Sequence, residues 1–519
     1  MDRVFLFSEC EGKPASMLGT KGANLAEMTK LGLPIPAGFI ITTDAWKDYN
    51  ANFRILSQDL RNEVAKKLKL LETETGKTFG GASNPLLVSV RSGAPVSMPG
   101  MMDTILNLGL NDTTVIGLSE QTGDERFAED CYQRFIKMFG KIVLKVEESK
   151  FKRLSEKSIQ IFSEEKTLKE VIKGYKDLIE AESGKRVPDN VYDQLFSAIR
   201  AVFDSWFSER AIVYRQAHKI SEDLGTAVVV QAMVFGNIGL DSGSGVVFTR
   251  NPSTGDRELY GEYMPNAQGE DLVAGTRTPG PLSFLYEKFP QIYDQLAHVC
   301  AVIEKHFRDM QDIEFTVEKG RLYILQTRSG KRTPQAAVKI AFDMYKEGIL
   351  SKAEAVKIVR SVPFQDLLVQ QKDPNFKGEV LTKGLPASPG VATGVAAFSS
   401  DEAVRLKEKG EKVILVRPQT SPEDIRGILA AEGVLTTHGG ITSHAAVITR
   451  DMSKPCVVGC EEIKIDMESK KLYVKNETKT ITISKDDIIT IDGTTGYVVI
   501  GKVPLIVQRL CDYVKEILS

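Results

Sequence analysis

The chain holds little histidine: five residues in 519, of which two, His438 and His444, share one short stretch. Cysteine is nearly as sparse. Six in so long a chain are too few for a disulfide scaffold, and only Cys456 and Cys460 lie close together, in PCVVGC. No second Cys or His pair stands nearby at the spacing a zinc site uses, so these two read as buried thiols in or beside a strand. An excess of either charge is missing too: 67 Lys plus Arg against 69 Asp plus Glu give a net charge of −2. That balance excludes a global field favouring nucleic acid or an anionic membrane, so any anion site must be local. Long apolar runs are absent. No segment approaches the roughly 18 uncharged residues of a spanning helix, and the opening MDRVFLFSECEGKPAS lacks the basic lead and apolar run of a signal peptide. The expectation is a cytoplasmic protein with no nucleic-acid and no membrane partner. Internal repeats and low-complexity tracts are lacking as well.

What is present is ordinary globular composition, 42% hydrophobic and 26% charged, in a length that suits roughly three to four folding units. KGANLAEMTKLGLPIPAGFIITTDAW reads as a short amphipathic helix, a Gly-Pro turn and an apolar strand. From about residue 120 to 220 the pattern is helical and charged. Strand pattern returns at GTAVVVQAMVFGN and at DIEFTVEKGRLYILQTRSGKR, where Glu318, Lys319, Gly320 and Arg321 form a good hairpin turn. Residues 331 to about 375 look like a helical connector rather than a core. A further unit over 376–503 is rich in short β runs (KVILVRP, GVLTT, PCVVG, DIITIDG, YVVIG), and the last residues form a terminal helix.

In THGGITSHAAVITRD, residues 437–451, an apolar β-branched run leads into a glycine pair and then into helical apolar spacing. His444 falls in the first turn of that helix. The N–H groups there have no intrahelical partner and face the positive end of the dipole, so a phosphorylated imidazole would be favoured. Gly439 and Gly440 remove bulk on the approach side, and Thr442 and Ser443 offer hydroxyls to cap the helix or to meet a phosphoryl oxygen. Spacing alone equally suits a histidine that merely packs at a helix start. His438 has no anion-receiving geometry. In the hairpin, a strand period of two puts Asp312, Glu314 and Thr316 on one face and Ile324, Gln326 and Arg328 on one face of the partner strand. That gathers carboxylates, an amide and a guanidinium, either as a metal and nucleotide platform or as a polar surface face.

GGITSHAAVITR, with GLPASPGVATG ahead of it, closely resembles the phosphohistidine motif of the pyruvate phosphate dikinase and phosphoenolpyruvate synthase family. The resemblance implies that His444 is the nucleophile that becomes phosphohistidine, with Thr442 its hydrogen-bond neighbour; relatives often carry Arg where this chain has His438. QDIEFTVEKGRLYILQTRSGKRTP resembles that family's ATP-grasp metal hairpin. By that likeness Asp312, Glu314 and Gln326 hold magnesium and Arg328 meets phosphate. KGANLAEM and SVRSGAPVSMPGMMDTILNLG resemble its phosphate-binding segments, implying Lys21 and Arg91 as phosphate contacts and Gly100 to Thr104 as a phosphate-covering loop. VVVQAMVFGN resembles the strand that receives adenine, through Gln231 and Met233, and GEYMPNAQGEDLVAGTRTP carries over Glu262 and Gln268 to the nucleotide region.

The implied fold is α/β and α+β multidomain: an ATP-grasp nucleotide-binding domain over 1–330 with a helical insert at about 120–220, a helical linker and hinge over 331–375, a swivelling β/β/α phosphohistidine domain over 376–503, and a terminal helix over 504–519. The implied activity is an ATP- and Mg2+-dependent phosphotransferase. It phosphorylates its own histidine with the β-phosphate, giving AMP, while inorganic phosphate, or water as in the synthase, takes the γ-phosphate. The family's phosphoenolpyruvate/pyruvate barrel is expected to be absent, since about 16 residues follow GKV where a barrel needs about 200 or more. Pyruvate/phosphoenolpyruvate or another small acceptor would then be served by a separate domain or subunit. Two other readings stay open: a kinase for another small acceptor using a partner subunit, and an ATP-responsive phosphocarrier or regulator with Thr442 as a control site.

Overall fold

A computed structural model describes residues 2–161, 168–274, 278–363, 370–372, 380–475, 480–484, 487–507 and 512–518. The chain forms two compact units, Met1–Val234 and Phe235–Ser519. The division falls inside the span read from sequence as one domain over 1–330, because each unit closes a β-sheet of its own and no strand is shared. Among the described residues no helix is long and apolar enough to cross a membrane.

The first unit is built on an antiparallel sheet of β1 (Val4–Leu6), β2 (Gly38–Ile41), β3 (Val88–Gly93), β4 (Thr104–Leu108) and β5 (Ala227–Ala232), in the order β1-β2-β5-β3-β4. The Val-Val-Val run of β5 is central in the sheet, between β2 and β3, and is buried throughout because helices, α1 (Ala15–Lys30) among them, pack on it. Helix α1 kinks at Gly19, whose φ is +69°. A Cβ there would sit 1.7 Å from the Gly93 carbonyl oxygen, so only glycine lets α1 seat on the end of β3. Between β4 and β5 the chain is helical, as its pattern predicts, and ends in α2 (Glu209–Ala217); residues 162–167 of that stretch lie outside the described residues.

The second unit opens with β6 (Gly243–Phe248), β7 (Tyr260–Pro265), β8 (Gln311–Glu318) and β9 (Arg321–Ser329). They form an antiparallel sheet in the order β7-β6-β8-β9, extended past β7 by the two residues Gly280–Pro281. Helix α3 (Pro290–Phe307) precedes the β8–β9 hairpin. The hairpin turn has φ +47° at Lys319 and +71° at Gly320, the double positive φ that matches strand twist in a two-residue connection. Its register shifts between Glu314 and Phe315: Glu314 pairs Gln326, but Phe315 pairs Ile324. Leu325 is therefore an inserted bulge residue. It moves Ile324 off the face of Gln326 and Arg328, where strict alternation had placed it, and into the core, where it is fully buried.

The stretch read as a connector carries cores of its own. Helix α4 (Pro334–Lys346) buries Ala336, Ile340 and Met344 against Val246, Phe248 and Met310 of the sheet. Helix α5 (Lys352–Ser361) packs with α4 and with Ile517. The helical spacing was legible, but which surface it covers depends on residues some 25 to 100 positions upstream. Of the 331–375 span, 364–369 and 373–375 lie outside the described residues.

The rest of the unit is centred on an eight-stranded sheet. The chain reaches it through β10 (Gln370–Lys372) and continues with β11 (Val380–Lys383), β12 (Leu385–Ser388), β13 (Val391–Ala397), β14 (Val413–Arg417), β15 (Gly433–Thr436), helix α6 (His444–Asp451), β16 (Cys456–Val458), β17 (Ile488–Asp492) and β18 (Tyr497–Ile500). The order is β11-β18-β17-β13-β14-β15-β16-β12, with β13 to β16 parallel. Cys456 and Cys460 are buried as expected, and burial pushes both thiols up to about 12. The last segment differs from the single helix read over 504–519. Leu505–Val507 is a strand, β19, that pairs antiparallel with β10, and helix α7 spans only Asp512–Leu518; residues 508–511 and Ser519 lie outside the described residues.

Candidate active site

In the parallel part of the sheet, β14 and β15 are neighbours and both run into loops at their C-terminal ends, the edge where open α/β sheets place their ligands. The loop after β15 turns through Gly439, at φ +98°, and the Ser443 amide donates to the Gly440 carbonyl. Ser443, in extended conformation, is the N-cap of α6, so His444 is its first helical residue. The loop after β14 brings Thr420 to it: Thr420 Oγ1 lies 3.0 Å from His444 Nδ1. Both side chains are buried. Sequence reasoning missed Thr420. The signal that could have found it is the adjacency of two parallel strand ends, which periodicity does not supply.

Thr442 does not cap the helix and is not the ring's neighbour through its hydroxyl. Its Oγ1 donates instead to Glu262 Oε2 at 2.5 Å, its amide donates to the same oxygen at 3.1 Å, and the Ile441 amide donates to Oε1 at 2.7 Å. Gly440 makes this possible, since a Cβ there would stand 2.0 Å from Glu262 Oε1. Glu262, carried over from sequence to the nucleotide region, thus grips the histidine turn. Burial pushes its carboxyl above the ordinary range, while the three donors and nearby Arg450 act the other way. His438 is exposed, and its amide donates to the Pro418 carbonyl.

Strand register brings the hairpin residues into the same neighbourhood. Arg328 pairs Asp312, Asp312 pairs Phe248 and Phe248 pairs Tyr260; Gln326 pairs Glu314, Glu314 pairs Val246 and Val246 pairs Glu262. Directly opposed residues share a face, so these are two successive rungs on one side of the sheet. Arg328 Nε donates to Asp312 Oδ2 at 2.8 Å, whereas Asp312 Oδ1 is buried without a hydrogen-bond partner. An orphaned carboxylate oxygen beside a second carboxylate suits a hard cation. Among the described residues no cluster of three or more His, Cys, Asp or Glu side chains forms a metal cage. Magnesium does not need one, because it is held by one or two carboxylates plus substrate phosphates. Gln268 lies off these rungs: its amide donates to Asp271 and its side chain to Asn237.

In the first unit, Arg91 pairs Thr104 across β3 and β4, and Gln231 lies one rung along on β5 opposite Ser89. Lys21 stands over the end of β3, where a Cβ on Gly93 would be 3.8 Å from its own. Gly100, at φ +72°, belongs to the β3–β4 connection. That loop is pinned at its far side by Arg210 of α2, which donates to the Met101 carbonyl and pairs with Asp103. Gln231 is buried with its side-chain amide on the Pro36 carbonyl, and the Met233 amide donates to the Leu87 carbonyl.

Two family models match the chain: "Pyruvate phosphate dikinase, AMP/ATP-binding domain" over residues 50–287 and 290–349, and "PEP-utilising enzyme, mobile domain" over 409–496. The second contains His444, Thr442 and Thr420. Among similar curated proteins, a pyruvate, phosphate dikinase of Rhizobium meliloti is 48% identical over 97% of this chain, and one of Clostridium symbiosum is 49% identical over 96%. A chloroplastic relative from Mesembryanthemum crystallinum is 48% identical over 97%. The chain spans 58% of the length of the two bacterial relatives and 54% of the plant one.

Proposed function

Because the chain belongs to the pyruvate phosphate dikinase AMP/ATP-binding family, we propose that it is an ATP-grasp phosphotransferase that phosphorylates its own His444 from ATP. The β-phosphate ends on His444, the γ-phosphate goes to inorganic phosphate and AMP leaves. This is the first half of a dikinase-type reaction. Pyruvate is the acceptor in the second half, taking the phosphoryl group from His444 to give phosphoenolpyruvate, through a further domain or subunit.

The observation that carries the reading is that one sheet face holds Asp312 and Glu314 and also receives the histidine turn through Glu262. A nucleophilic Nε2 requires the proton on Nδ1, so Thr420 Oγ1 acts as acceptor and fixes both tautomer and ring orientation. The first-turn amides of α6 face the incoming charge. Lys21, Arg91 and Arg328 are the cations assigned to the nucleotide phosphates, Gly100 to Thr104 the loop that covers them, and Gln231 and Met233 the adenine contacts. Asp312, Glu314 and Gln326 would hold Mg2+, which when bound neutralises phosphate charge. Carrying the group away requires the histidine domain to move, and the paired strands β10 and β19 are where the chain enters and leaves it.

The test is incubation with Mg2+ and ATP labelled separately on the β- and γ-phosphates, with and without inorganic phosphate, beside His444→Ala. Acid-labile β-label on the wild type alone, with AMP formed, is expected. Label that survives in His444→Ala, or none on the wild type, would overturn the reading.

A further inference from the structure

Arg450 has so far appeared only as a neighbour of Glu262. It lies near the end of α6 and is 1% exposed. Its Nη1 donates to the Ala387 carbonyl of β12 at 2.9 Å and its Nη2 to the Ile441 carbonyl at 2.7 Å, while the buried Nε has no hydrogen-bond partner. None of these bonds reaches a carboxylate. A guanidinium stripped of water without a contacting counter-ion is strongly unfavourable, and burial pulls it below the ordinary arginine range.

What offsets this comes from the neighbouring sheet. The guanidinium carbon lies 5.3 Å from the centroid of the Phe248 ring, close enough for a cation–π contact. Asp312 and Glu262 supply favourable field, while Tyr260 and Cys456, whose ionisation burial disfavours, are the other titratable groups that face it. Phe248, Tyr260 and Asp312 form one rung, and Glu262 sits on the next. The Ile441 backbone is consequently held on both sides, its N–H donating to Glu262 and its carbonyl accepting from Arg450.

We propose that Arg450 is a positioning residue for histidine phosphorylation: it staples the 438–443 turn to β12 and seats that turn against the Asp312–Phe248–Tyr260 rung, so that His444 is presented correctly only while the two are together. This rests on the phosphohistidine reading above. It assigns to the far end of α6 a role in the step that His444 performs at the near end.

The test is single-turnover labelling of the full chain by β-labelled ATP, in the wild type, Arg450→Met, Arg450→Lys and Phe248→Leu. The Met variant should lose about thirtyfold or more in maximal rate with half-saturating ATP changed less than about twofold, the split that separates presentation from nucleotide binding. Lys, which keeps the charge but lacks the planar fork that spans the Ala387 and Ile441 carbonyls, should recover part of the loss. Phe248→Leu, which leaves the histidine domain untouched, should slow labelling several-fold. A folded Met variant within about threefold of wild type overturns the inference, as does a loss confined to half-saturating ATP. If the Arg450 variants fail to fold, wild-type labelling in Phe248→Leu overturns it. An unlabelled wild type overturns the phosphohistidine reading and this inference with it, whereas a labelled wild type beside fully active variants overturns the inference alone.

Discussion

Gly440→Ala isolates the contact between the histidine turn and Glu262. The added Cβ would stand 2.0 Å from Glu262 Oε1, where 3.0 Å is the shortest separation real Cβ atoms show. Either the carboxylate or the turn must therefore retreat by about 1 Å. The three hydrogen bonds on that carboxylate, at 2.7, 3.1 and 2.5 Å, do not survive such a shift together. Bonds to a charged group contribute roughly 1.5–3 kcal/mol each and are not additive on one acceptor, so we take the loss as on the order of 3 kcal/mol. That is roughly a hundredfold in the population holding the contact. Rapid-quench labelling of His444 should slow by about that factor while the ATP concentration at half-saturation stays put. In a Glu262→Ala background the clash is gone, and Gly440→Ala should add little. Labelling within about threefold of wild type, or an undiminished effect in the Glu262→Ala background, would refute the reasoning.

Thr420→Val removes the acceptor of Nδ1 while keeping shape, and should lower the labelling rate about tenfold, as expected for a lost orienting hydrogen bond; Thr420→Ser should restore most of it. With their thiols pushed up to about 12, Cys456 and Cys460 should resist alkylation at pH 8 in the folded chain and react only in denaturant, because the thiolate is the reactive form; mass spectrometry of the alkylated peptides reads this directly. Ile491→Ala opens a cavity in the fully buried core beneath the histidine sheet, and should destabilise that domain by about 2–5 kcal/mol in a urea titration. Asp312→Asn keeps the shape of the Arg328 contact but removes the charge, and should raise the Mg2+ concentration needed for half-maximal labelling far more than it changes the melting temperature.

Much of the local structure could be read along the chain. The strands KVILVRP, GVLTT, PCVVG, DIITIDG and YVVIG all form, because apolar β-branched runs bounded by turn residues have few alternatives. His444 opens a helix as expected, since a glycine turn followed by Ser443 and helical spacing is a complete start signal. The hairpin turn at Lys319 and Gly320 follows from its residues for the same reason. Failures came where a long-range partner decided the outcome. The extra residue Leu325 breaks a strict period of two, and nothing in the alternation announces a bulge. The connector became core because its apolar stripe found Val246, Phe248 and Met310.

By itself, then, the sequence determined which elements form and which side chains are chemically able: a histidine at a helix start, a hairpin bearing carboxylates, a guanidinium and an amide. These depend on φ/ψ preference and on periods of 2 and 3.6, which act over a few residues. Only the tertiary structure decided who meets whom. Thr420, not Thr442, faces the histidine ring; Glu262 holds the turn; Arg450 braces it from behind. Those pairings join positions up to about 180 residues apart, and they are fixed by strand order, register and the packing of one face on another, which no local pattern encodes.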